Sequence, residues 1–101
     1  MKLRAVGNET HGGYVHWCPG CNERHVVYTR NGTGPTWDFV NKNEDTPTFS
    51  PSVRLFEIEK DNARVTLCHY FIKEGKLQFL HDCAHDLAGQ TVDLPNLPDD
   101  E

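Results

Sequence analysis

Short stretches in which apolar and polar residues alternate, broken by Gly, Pro and Asn clusters, dominate this chain and predict strands for most of its length. Tyr14 to Trp17 reads as a strand entering the Cys18-Pro19-Gly20-Cys21 turn, and His25 to Thr29, β-branched and aromatic, as the strand returning from it. The two make a hairpin with cysteines at its tip, and Asn22 suits the left-handed backbone such turns need. Asn31 to Pro35 is a loop, Trp37 to Val40 a short strand, and Thr46 to Ser52, holding two prolines, an extended segment unsuited to a sheet centre.

Val53 to Ile58 is a further strand, and Val65 to Ile72 pairs with Lys76 to Leu80 across Lys73-Glu74-Gly75. A two-residue type I′ turn would force Glu74 to positive φ, so a three-residue loop with Gly75 left-handed is expected. That register sets Ile72 opposite Lys76, Phe71 opposite Leu77, His69 opposite Phe79 and Leu67 opposite His81. It places Val65, Leu67, His69, Phe71, Leu77 and Phe79 on one face. Asp82 is positioned to cap a short helix over residues 82–88 that stops at Gly89, and Thr91 to Leu94 reads as a last edge strand.

The expected fold is mainly β, an α+β chain with one short C-terminal helix and zinc-ribbon-like antiparallel hairpins pinned by one metal. Residues 1–94 form the single domain, and residues 95–101 an acidic, proline-containing tail in solvent. At 101 residues such a domain buries a modest core, so a metal staple would add needed stability. The chain starts Met1-Lys2-Leu3-Arg4, without an apolar run of signal-peptide length, and lacks any stretch long enough to span a membrane. A cytosolic location follows, where four cysteines favour metal over disulfides. A net charge of −5 and the absence of a Lys/Arg cluster argue against binding dominated by nucleic-acid phosphates.

A Cys-x-x-Cys pair on a tight turn leading into strands suits tetrahedral zinc better than a redox dithiol, which belongs at a helix N-terminus. The other half of the site must come from Cys68, His69, His81, Cys83 and His85. Cys68 and His69 are adjacent on a strand and face opposite sides, so they do not both point inward. The register above selects Cys18, Cys21, His69 and Cys83 for one Zn²⁺ per chain, with Cys68 and His85 as the alternatives. His11, His16 and His25 read as non-ligands, with His16 and His25 flanking the cysteine turn as supporting groups, and in the preferred set His81 and His85 bond locally or meet solvent.

His16-Trp17-Cys18-Pro19-Gly20-Cys21, Pro47-Thr48-Phe49-Ser50-Pro51-Ser52, Cys68-His69-Tyr70-Phe71-Ile72 and the run from Phe79 to Val92 together resemble a family of small phage and prophage proteins. That family carries a domain of unknown function and is sometimes mislabelled ammonia monooxygenase. The resemblance implies a phage-type zinc protein in the cytosol of a bacterial host. Shorter relatives carry a cysteine three positions before the histidine that matches His69, where this chain has Thr66, so Cys83 or His85 must supply the remaining ligand.

Four soft ligands suffice to close a zinc site, which leans the reading away from an enzyme. The first expectation is a protein-interaction module whose partner is a host defence or regulatory protein, with loop aromatics such as Trp37 as anchors. One alternative is a zinc-ribbon-like nucleic-acid binder stacking bases on Trp17 or Trp37. The other is a small zinc-dependent hydrolase drawing on Asp82, His81, His85 or Asp86.

Overall fold

A computed structural model describes residues 1–98. Eight strands run in chain order: β1 (Arg4–Gly7), β2 (His11–Cys18), β3 (Glu23–Asn31), β4 (Asp38–Phe39), β5 (Phe49–Ile58), β6 (Arg64–Lys73), β7 (Lys76–Phe79) and β8 (Thr91–Asp93). They form a three-stranded sheet, β1-β2-β3, and a five-stranded sheet, β4-β5-β6-β7-β8, and every pairing is antiparallel.

The hairpin around the cysteine turn forms as the alternation requires, with His16 opposite His25 and Cys18 opposite Glu23. Asn22 takes φ 57° and donates its N–H to the Cys18 carbonyl at 2.8 Å. The inward face of the small sheet, with Leu3 just before β1, meets the larger sheet in one buried cluster, in which Leu3, Cys18 and Val27 pack with Phe49, Val53, Cys68, Tyr70, Ile72, Leu77, Phe79 and Leu94. Phe39, stacked on Phe49 at 4.5 Å between ring centres, extends this cluster to the edge strand β4.

No helix occurs among the described residues, which corrects the expected α+β class: the fold is all-β. Residues 80–90 instead form consecutive turns, with Cys83 N–H bonding the Leu80 carbonyl, Ala88 that of His85 and Gln90 that of Leu87. The physical reason lies in the side chains. Asp82, the expected cap, spends its carboxylate on His69, and His85 is turned toward Cys68, while Ala84 N–H bonds the Leu67 carbonyl on β6. Tertiary bonds of this kind outweigh a weak local helix preference.

The β6–β7 register is also corrected, by one residue. Lys73 pairs with Lys76, Ile72 with Leu77 and Tyr70 with Phe79, across a two-residue Glu74-Gly75 turn with φ 48° and 78°. Glu74 holds its left-handed backbone because the neighbouring segment grips the turn. Glu74 N–H bonds Thr48 Oγ1 at 2.8 Å, Gly75 N–H bonds the Pro47 carbonyl at 2.9 Å, and the Gly75 carbonyl accepts from Leu94 N–H at 2.8 Å. A slip of one residue exchanges the two faces of a strand. Cys68, Tyr70 and Ile72 are therefore buried, and His69 points the other way.

The chain beyond residue 94 does not leave the body at once. Leu94 is buried, Leu97 N–H bonds the Met1 carbonyl at 2.8 Å, and Pro98 O accepts from Arg24 at 3.4 Å. The rest of the expected acidic tail, residues 99–101, lies outside the described residues.

Candidate active site and metal centre

β5 carries an irregularity around Pro51. Phe49 pairs with Ile72 and the next ladder position, Val53, pairs with Tyr70, so Ser50, Pro51 and Ser52 together face the single residue Phe71. Such a bulge redirects a side chain out of the sheet's regular alternation. Here it delivers Ser52 Oγ to His69 Nε2 at 3.0 Å, and the Trp37 indole N–H holds the Ser52 carbonyl at 3.1 Å.

The other ring nitrogen, His69 Nδ1, lies 3.1 Å from Asp82 Oδ2. An ionised carboxylate can only accept, so Nδ1 carries the proton and the neutral ring presents Nε2 as acceptor to the serine hydroxyl. The hydrogen bond from His69 holds the Asp82 carboxyl below the usual carboxylate range. His69 is fixed from behind as well. Its N–H bonds Cys83 Sγ and its carbonyl accepts from the Cys83 thiol, both at 3.2 Å, while Leu80 N–H bonds the same carbonyl at 2.9 Å. With side-chain exposures of 23% for His69 and 48% for Asp82, the constellation is open to a ligand from solvent.

A serine, a histidine and a carboxylate linked in this order have the geometry of a nucleophile, its general base and the group that orients the base. The chain order Ser52, His69, Asp82 has no bearing on that assignment, since such triads are recognised by geometry.

On the opposite face of β6, Cys68 joins Cys18, Cys21 and His85, whose ligand atoms all lie within 4.8 Å of one another. Cys18 Sγ and Cys68 Sγ are 3.8 Å apart, and Cys68 Sγ and His85 Nε2 are 3.3 Å apart. A tetrahedral ion bound at about 2.3 Å to sulfur sets its sulfurs about 3.8 Å apart, so the cluster matches a zinc-sized ion. Gly20 completes the cradle, because a Cβ there would lie only 2.2 Å from the nearest atom of the His85 ring. The hydrogen bond from Cys68 draws the Cys18 thiol down to about 5 against the opposing effect of burial, while burial pushes Cys21 up to about 11. The hydrogen bond to Cys18 likewise raises Cys68. Crowded thiols that compete for protons in this way are ones a cation would deprotonate and hold as thiolates.

Of the sequence-selected ligands, Cys18 and Cys21 enter this cluster. His69 instead engages Ser52 and Asp82, and Cys83 engages the His69 backbone. Cys68 and His85, the alternatives, complete the four. His16 and His25 meet on the Tyr70 hydroxyl beside the cluster, and Glu23 accepts from His25 Nε2 at 3.3 Å. Burial, then the nearby His25, lowers the His16 pKa to about 3. His11 and His81 are exposed.

The sequence model of the family described as Bacterial ubiquitination-like system serine protease (BubE) matches residues 2–80. The chain belongs to this family. No curated protein and no solved structure matches it. The BubE match takes in Ser52, His69, Cys18, Cys21 and Cys68 and stops short of Asp82 and His85, which the turns after β7 supply. The family description carries no reference to phage or to zinc. Among the described residues no helix is long and apolar enough to cross a membrane.

Sequence reasoning missed Ser52 as a functional residue. It lies in no recognised nucleophile motif, and only the bulge brings it to His69. A signal existed for His69: with a Glu-Gly turn in place of the three-residue loop, alternation alone turns it away from the core.

Proposed function

We propose that this chain is a serine protease of a bacterial ubiquitination-like system, with Ser52 as nucleophile, His69 as general base and Asp82 as the group that orients His69. The observation that carries the reading is the unbroken chain from Ser52 Oγ through both ring nitrogens of His69 to Asp82 Oδ2. The BubE description supports the class of reaction and its setting.

In the reaction, Ser52 Oγ bonds to the substrate's acyl carbon as its proton passes to His69 Nε2. Asp82, ionised beside the ring, stabilises the imidazolium. The bond to the leaving amine then breaks as Nε2 returns the proton to it, leaving an acyl ester on Ser52. Water, deprotonated by Nε2, adds to that ester, and the proton goes back to Oγ as the acid product departs. Cys18, Cys21, Cys68 and His85 would hold a zinc ion whose role is to fix the backbone, all four positions being filled by protein. On this reading the protein partner expected of an interaction module is the substrate.

A fluorophosphonate probe tests the assignment, because it reacts selectively with an activated serine. Intact-mass and peptide analysis should find one adduct on Ser52, absent in Ser52→Ala and strongly slowed in His69→Ala. No adduct on folded, metal-loaded protein, or an adduct elsewhere, overturns the reading.

A further inference from the structure

The larger sheet is left open beside the nucleophile. β4 covers only Ser50 and Phe49 on the outer edge of β5, and among the described residues no strand covers that edge from Pro51 to Ile58. The opening begins at Ser52, where the Trp37 indole caps the carbonyl and blocks the line toward β4. An exposed edge of this length invites pairing, and proteins normally shorten, charge or cover such edges. This one carries Phe56 and Ile58, 39% and 62% exposed, with the guanidinium groups of Arg54 and Arg64 5.4 and 4.8 Å from the Phe56 ring centre.

We infer that the β5 edge from Val53 to Ile58 is the substrate groove, and that it takes an extended peptide as an added strand. This rests on the assignment of Ser52 as nucleophile. Every ladder in the sheet is antiparallel, and an antiparallel guest bonds best to such an edge. A guest antiparallel to β5 travels from Ile58 toward Ser52. Its acyl side therefore lies along the edge, and its scissile carbonyl arrives at Ser52 Oγ, where Trp37 stops the strand. Main-chain bonds supply the affinity, and a side chain over Phe56 is favoured when apolar. An acidic side chain fits there as well, beside the two arginines.

A peptide library from a denatured proteome, incubated with the full chain, identifies a cleaved sequence, which is then remade with one N-methyl group at each position in turn. Loss of one ladder bond should lower kcat/KM by about tenfold. The loss should recur at alternate residues on the acyl side and be absent on the leaving side. An even response along the peptide, or a response confined to the leaving side, overturns the groove. So does a Ser52 that takes the fluorophosphonate while no short peptide is cleaved. Failure of Ser52 to take the probe instead removes the nucleophile assignment itself, so the two failures are distinguishable.

Discussion

Cys68 and His69 are consecutive on β6 and serve two different sites, one on each face of the sheet. Cys68 lies 3.3 Å from His85 and 3.8 Å from Cys18, while His69 lies 3.0 Å from Ser52 and 3.1 Å from Asp82. The segment after β7 repeats the arrangement, with Asp82 on the His69 side and His85 on the cysteine side. The same two stretches of chain thus carry two of the three candidate triad residues and close the candidate metal cluster.

Ligand identity follows from this division. Cys68→Ser should lose zinc and His85→Ala should hold it more weakly against a chelator, whereas His69→Ala and Cys83→Ala should retain about one zinc per chain, as read by elemental analysis of purified protein. Zinc retained in Cys68→Ser and lost in His69→Ala would refute the cluster as drawn.

Asp82→Asn tests the orienting carboxylate. The amide can hold the ring in the wrong tautomer, so the rate of peptide cleavage should fall by about 10³–10⁴ with little change in thermal stability, because Asp82 is exposed. Since His69 holds the Asp82 carboxyl below its ordinary range, the pairing is complete above the unfolded pKa of about 3.9 and is lost as pH falls through the lower folded value. Wild-type activity should therefore show no carboxylate break between about pH 5 and 7, and an acid limb assignable to Asp82 in that window would contradict the pairing.

The hairpin around Cys18 was legible because its alternation and turn residues agree with the fold, and the two strands flanking Lys76 were legible from alternation, though not their register. The helix expected at 82–88 and the three-residue turn were local inferences, and long-range partners overrode both. Thr48 and Pro47 stabilise Glu74 in a backbone it would otherwise avoid, and that one-residue slip decides whether Cys68 or His69 faces the other cysteines. Ser52 was not legible at all, since its approach to His69 depends on a bulge created by pairing β5 with β6.

Buried His16 gives the fold a pH dependence of its own. Its folded pKa of about 3 lies below the ordinary 6.5 because burial penalises the charged ring. The unfolded chain therefore binds the extra proton between those values, and stability rises with pH. The contribution is complete above about pH 6.5 and is lost as pH falls toward 3, on the order of 3 kcal/mol at pH 4. The thermal midpoint of the wild type should drop over this range, and His16→Gln should flatten the drop. An unchanged slope in that variant would place the effect on other groups.

Gly20 ties the cysteine turn to the metal in a way that leaves the triad residues untouched. A methyl group at this position would come within 2.2–2.6 Å of three atoms of the His85 ring. Gly20→Ala should therefore weaken zinc retention against a chelator by displacing His85, while the three cysteines still bind. Cobalt substitution separates the two states. Wild type should give a tetrahedral, thiolate-rich spectrum indifferent to small anions, whereas Gly20→Ala should leave a coordination position that anions perturb. Anion sensitivity in the wild type would mean that the site is open and would assign the metal a chemical role.

The metal should also control the serine, although it touches none of the three residues. His69 follows Cys68 directly, and Asp82 reaches the cluster through the three-residue step to His85. Without the ion, the turns at 80–90 keep few buried apolar anchors, since Asp82, Ala84 and Asp86 are exposed and Cys83, His85 and Leu87 only partly buried. Local opening of such a segment costs little. Removing zinc under conditions that keep the sheets folded should therefore slow fluorophosphonate labelling of Ser52, and zinc or cobalt should restore it. Circular dichroism and amide exchange in the β2–β3 hairpin distinguish this from global unfolding. Should metal-free, folded protein label at the wild-type rate, the ion would be a staple for the β2–β3 turn alone, and the triad would stand on the Cys83–His69 backbone bonds.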